Sequence, residues 1–143
     1  MKRLIVGLLV MAFIGGCATI YQPEGFNGGY SDTRLDENVF NISFRGNAYI
    51  IEQKVYDFAL LRSAEVTLNN GYKYFIITED NGHTIDNNTY TSPKNIKHLT
   101  FWGNASSLIT IMCFKEKPTN GISYNADLIY SSISQRYSIK KPL

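Results

Sequence analysis

The chain has 143 residues, 44% hydrophobic and 13% aromatic, a composition that excludes global disorder. Taking away residues 1–16, which read as a removable segment, leaves 127, enough for one domain whose core needs no disulfide or metal staple. The formal net charge of +2 falls to zero without Lys2 and Arg3, because 12 basic and 12 acidic side chains remain. That balance, with no basic cluster, excludes an electrostatic footprint for nucleic acid.

Lys2 and Arg3 open the chain, and Leu4 to Ile14 is an unbroken run of apolar residues and one glycine. Gly15-Gly16 follows, then Cys17. A positive start, a short apolar stretch and a small-residue cleavage site make the three-part layout of an export signal peptide. The run is shorter than the roughly 20 residues of a permanent membrane span. Ile14-Gly15-Gly16-Cys17 resembles the lipobox of bacterial lipoproteins. The resemblance implies a diacylglyceryl group on the Cys17 thiol and an acylated Cys17 amine after cleavage. Ala18, in the second mature position, resembles that of outer-membrane lipoproteins, where aspartate would signal inner-membrane retention. With Cys17 lipidated, Cys113 has no intramolecular partner.

Residues 17–30 contain Pro23, Gly25, Gly28 and Gly29 and no apolar period, and they read as a flexible tether. A dozen such residues would span about 20 Å. The folded domain is then expected over 31–143. Phe40, Ile42 and Phe44 alternate with polar residues and predict a half-buried strand. A helix is predicted over Ile51 to Asn70, with Gly71 as a left-handed stop and Asn47 as the nearest capping residue at its start. Tyr72 to Glu79 is rich in aromatic and β-branched residues and predicts a second strand. Asp80 to Pro93 is polar and turn-rich, open to a short hairpin or an irregular excursion. Ile96 to Trp102 reads as an edge strand, and Ser107 to Phe114, apolar on both faces, as a central one. Ala126, Ile129, Ile133 and Tyr137 recur at helical spacing, with Ser123 or Asn125 to cap them. The fold class is α+β, a small, mainly antiparallel sheet with two helices packed on one face, in the order β-α-β-(β)-β-α.

On a wheel, the first helix is apolar over most of its circumference, and its plainly polar sector holds only Glu52, Tyr56, Ser63 and Thr67. Asp57, Arg62 and Glu65 project from the apolar arc and need partners, since an unpaired buried charge is costly. Arg62 and Glu65 are three apart and can meet. Two readings stand: a structural ion pair that also fastens a loop, or a polar ligand pocket beside the helix.

Recognisable chemistry is sparse. His83 lies in a turn and His98 in the edge segment, neither in a catalytic setting. No Gly-x-Ser-x-Gly elbow occurs, and a hydrolase would need long-range assembly. Cys113 shares a face with Ile109 and Ile111 and reads as a small buried hydrophobe. Glu79 to Asn88 is acidic and Asn-rich but lacks the terminal glutamate of a calcium loop. Tyr72, Tyr74, Phe75, Phe101 and Trp102 suit either an ordinary core or a carbohydrate- or peptide-binding platform.

Gly29-Tyr30-Ser31, Phe44-Arg45-Gly46-Asn47, Leu60-Leu61-Arg62-Ser63-Ala64-Glu65 and Tyr124-Asn125-Ala126 together resemble a family of small, uncharacterised envelope lipoproteins of Gram-negative bacteria. In that family's pattern alanine stands where this chain has Ser63, and aspartate is common where it has Asn125. The resemblance implies a lipid-anchored envelope location and carries over no catalytic residue. The expectation is a non-enzymatic lipoprotein without cofactor or metal, held at the outer membrane through Cys17, facing the periplasm and contacting another envelope protein. The alternative is a binding module for glycan, peptidoglycan fragment or small ligand.

Overall fold

A computed structural model describes residues 17–80, 83–84, 99–101 and 104–140. Residues 1–16, expected to form the signal segment, and His98 and Trp102 lie outside the described residues. In chain order the elements are β1 (Gly29–Arg34), β2 (Val39–Arg45), α1 (Glu52–Asn69), β3 (Tyr74–Asp80), β4 (His83–Thr84), β5 (Leu99–Phe101), β6 (Asn104–Phe114), β7 (Tyr124–Asn125) and α2 (Ala126–Tyr137). The fold is α+β.

The strands run β1-β2-β6-β3-β4 across an antiparallel sheet, with β5 beside the start of β6 and β7 beside the start of β3. As its unbroken apolar run requires, β6 is central, paired with β2 through Ile42↔Ile109 and with β3 through Phe75↔Cys113. Asp80↔His83 and Glu79↔Thr84 pair β4 with the end of β3, and residues 85–93 of the predicted turn-rich stretch lie outside the described residues. Phe40, Ile42 and Phe44 of β2, Phe75 and Ile77 of β3, and Ile109, Ile111 and Cys113 of β6 all turn to one face and are buried. Each such phenylalanine contributes about 1.5–3 kcal/mol of transfer free energy.

The helix α1 covers this face with Val55, Phe58, Ala59, Ala64 and Val66. It ends where Gly71, at φ 78°, adopts the left-handed conformation expected of it. Its first residue has no side-chain cap. Asn47 instead accepts from the Tyr49 and Thr19 amides through Oδ1 and ties the preceding loop together. The predicted polar sector divides. Glu52 is exposed, but Ser63 and Thr67 are buried, returning their hydroxyls to the Ala59 and Ser63 carbonyls. A small hydroxyl satisfied inside its own helix costs little to bury, so polarity alone misplaces that arc. The second helix starts at Asn125, whose side chain accepts from the Leu128 amide as a cap; it buries Ala126 in the same core, and Ile133 is buried as well.

The largest departure concerns residues 17–30, which are folded onto the domain and are no tether. Thr19 is only 2% exposed. Its hydroxyl donates to the Asn27 carbonyl at 2.7 Å and accepts from the Asn47 amide at 2.8 Å. Gly25 and Gly28 exchange two backbone hydrogen bonds of 3.1 Å, and Tyr30 pairs back to Gln22 at 2.8 Å. The glycines are there for geometry. Gly28 has φ 91°, and a Cβ on it would collide with the Arg45 carbonyl oxygen. The domain therefore begins near Ala18, and the polar run after Gly29, invisible to an alternation search, is the edge strand β1.

Candidate functional site

The three charged residues singled out on α1 are all engaged, at two separate junctions. At the first, Arg62 donates to Glu65 Oε2 at 2.8 Å and reaches Asp32 Oδ1 of β1 at 2.7 Å. Tyr21, from the amino-terminal segment, donates its hydroxyl to the same Glu65 oxygen at 2.6 Å. The Arg62 guanidinium also lies 4.4 Å from the centre of the Tyr30 ring. The register explains Asp32: it pairs with Ile42, so its side chain rises on the sheet face that α1 covers.

Electrostatics follow from this enclosure. Burial works against the Arg62 charge, but hydrogen bonds to Glu65 and Asp32 outweigh it and hold its pKa above the ordinary arginine value. Burial and then the hydrogen bond to Glu65 push the Tyr21 phenol far above its usual range. Arg62, Glu65, Asp32 and the Tyr21 hydroxyl are thus bonded to one another. The geometry is an ion pair that fastens the amino-terminal segment and β1 to the helix.

Asp57 does not join them. It accepts from the Tyr137 hydroxyl at 2.6 Å, from Arg136 at 3.0 Å and from Gln53 at 2.9 Å. This second junction binds α1 to the end of α2. Between the junctions runs a chain of rings: Tyr30 to Tyr21 at 4.7 Å, Tyr21 to Phe58 at 5.4 Å, and Phe58 to Tyr137 at 5.2 Å. Lys54 lies over Phe58 and Tyr137 at 5.3 and 5.4 Å. The amino-terminal segment and the carboxy-terminal helix thus meet across Phe58.

Sequence reasoning found Arg62, Glu65 and Asp57 because charges interrupted an apolar arc. Tyr21, Tyr30, Asp32, Arg136 and Tyr137 were missed as their partners. No local pattern marks them, for the Tyr21–Glu65 bond spans 44 residues and the Tyr137–Asp57 bond spans 80.

The other candidates fall elsewhere. Cys17 is exposed at the start of the described chain, its carbonyl accepting from Asn47 Nδ2 at 2.8 Å. Cys113 is buried against Thr67 at 3.4 Å, and burial pushes its thiol up despite that contact. Phe75 is buried and stacked on Tyr124, whereas Tyr74 points to the opposite sheet face, so the two cannot share a binding platform. Glu79 accepts from Thr110 at 3.2 Å. Among the described residues, no three His, Cys, Asp and Glu side chains gather as metal ligands, and no helix is long and apolar enough to cross a membrane. No family model, curated protein or solved structure matches the chain.

Proposed function

We propose that this protein is a lipid-anchored envelope lipoprotein of the outer membrane, facing the periplasm, whose domain acts by contact with another envelope protein. One observation carries the reading: a charged start and an apolar run lead into Ile14-Gly15-Gly16-Cys17. The exposure of Cys17, one residue ahead of the folded body, is compatible with acylation there. The resemblance to envelope lipoproteins supports the same location. Two or more acyl chains, at about 0.8 kcal/mol per buried methylene, suffice for stable attachment.

A contact role is supported by the way Asp57, Arg62 and Glu65 are used. Their hydrogen bonds go to Tyr137, Arg136, Asp32 and Tyr21, which favours a structural ion pair over a ligand pocket. The test of the anchor is metabolic labelling with a fatty acid. Wild-type protein is expected to take up label and to fractionate with membranes, and Cys17→Ala to do neither. Label retained by the variant would overturn the assignment.

A further inference from the structure

Thr19 and Asn47 join three segments at one end of the domain. These are the chain start at Cys17, the turn closed by Gly25 and Gly28, and the loop from Gly46 into α1. Large apolar side chains stand exposed on all three: Ile20, the fully exposed Phe26, then Tyr49 and Ile51. Residues 17–30 and 46–51 contain a single charged residue, Glu24, and Arg45 pairs with it at 2.9 Å.

The opposite end differs. Leu35, Ile122 and Leu128 are exposed there as well, but among Arg34, Asp36, Glu37, Lys73, Lys115, Glu116, Lys117 and Asp127. Scattered apolar groups between charges are ordinary protein surface. Exposed aromatic and aliphatic groups on loops whose single charge is paired mark a surface that is covered.

From this arrangement, we infer that the Cys17 end of the domain rests directly on the phospholipid bilayer. Ile20, Phe26, Tyr49 and Ile51 then enter the boundary between headgroups and acyl chains. The inference rests on the lipidation of Cys17 proposed above. The occupant follows from continuity with the anchor: the Cys17 carbonyl is hydrogen-bonded to Asn47, two residues before Tyr49. With Thr19 already locked into the fold, no slack separates the acyl chains from these loops. Aromatic rings with a polar tip, such as Tyr49, suit the interfacial layer. The charged end faces water, so the domain has one orientation on the membrane.

The test uses full-length protein, lipidated in a bacterial host and reconstituted into phosphatidylethanolamine–phosphatidylglycerol vesicles. Nitroxides are placed through Phe26→Cys, Tyr49→Cys, Leu35→Cys and Leu128→Cys, all at exposed sites where folding tolerates change. Lipid blocks the Cys17 thiol, and burial protects Cys113. Collision with oxygen, relative to a water-soluble nickel chelate, is expected to be several-fold higher at 26 and 49 than at 35 and 128. Equal access to the chelate at all four sites, in protein whose mass includes the lipid, would overturn the docking and leave the anchor standing. Shielding of 26 and 49 from both reagents would assign the surface to a protein contact and equally overturn it. An unmodified mass for Cys17 would remove the anchor, and the docking with it.

Discussion

Two carboxylates on α1 are held in nearly the same way and in different surroundings. Glu65 and Asp57 each accept a tyrosine hydroxyl at 2.6 Å and an arginine, at 2.8 Å and 3.0 Å respectively. They lie about 80° apart around the helix, so one faces the amino-terminal segment and β1 and the other faces α2. The arginines differ. Arg62 is 20% exposed, ringed by Tyr30, Asp32 and Glu65, whereas Arg136 is 60% exposed on the last turn of α2. A charge pair open to water is screened and worth little, while a covered pair is costly to break because the survivor stays desolvated. The tyrosines bind both carboxylates alike, and only at Glu65 does the cation add to them.

The comparison is broken most directly at Arg62. Arg62→Ala leaves Glu65 and Asp32 without their shared cation, and a loss of about 3 kcal/mol, or roughly 10 °C in melting temperature, is expected. Thermal unfolding followed by circular dichroism measures it. An unchanged midpoint would mean that Arg62 serves something other than the fold.

The tyrosines give an intermediate effect that depends on pH. Burial first, then the hydrogen bonds to Glu65 and Asp57, raise the Tyr21 and Tyr137 phenols above their ordinary values. A phenol with a higher pKa in the folded state holds its proton more tightly there. Its contribution is complete below the unfolded value of about 10 and is lost as pH rises toward the folded one. Denaturant midpoints should therefore fall between about pH 9 and 11. Tyr21→Phe should flatten that slope, and Tyr137→Phe should do so less. Tyr56 and Tyr30, raised chiefly by burial, sustain a residual slope in both variants. Equal slopes in wild type and Tyr21→Phe would show that the Tyr21 proton is not held by the fold.

The smallest effect is expected at Arg136. Its pKa is raised by the hydrogen bond to Asp57, but the side chain stands in solvent, and Tyr137 and Gln53 keep Asp57 bonded without it. Arg136→Ala should leave the melting temperature within the error of measurement. A loss approaching that of Arg62→Ala would erase the distinction between the junctions.

Much of the frame was readable from local pattern. Alternation at Phe40, Ile42 and Phe44, the apolar run of β6, Gly71 after α1 and Asn125 before α2 each express a demand met within a few residues. The charges at Asp57, Arg62 and Glu65 also announced a need for partners, because apolar neighbours on the wheel implied burial. What the sequence left out were the partners themselves. Tyr21, Asp32 and Tyr137 satisfy those charges from elements that lie far along the chain. Only the register of β1 on β2, and the turns that fold residues 17–30 back onto the sheet, bring Tyr21 and Asp32 to the helix. The glycines of that segment look the same in a sequence whether they loosen a tether or permit a tight turn. Local pattern by itself determines the α+β class. Tertiary structure decides that Thr19 is buried and that little chain separates Cys17 from the fold, because close packing across the chain, unlike periodicity, leaves no local trace.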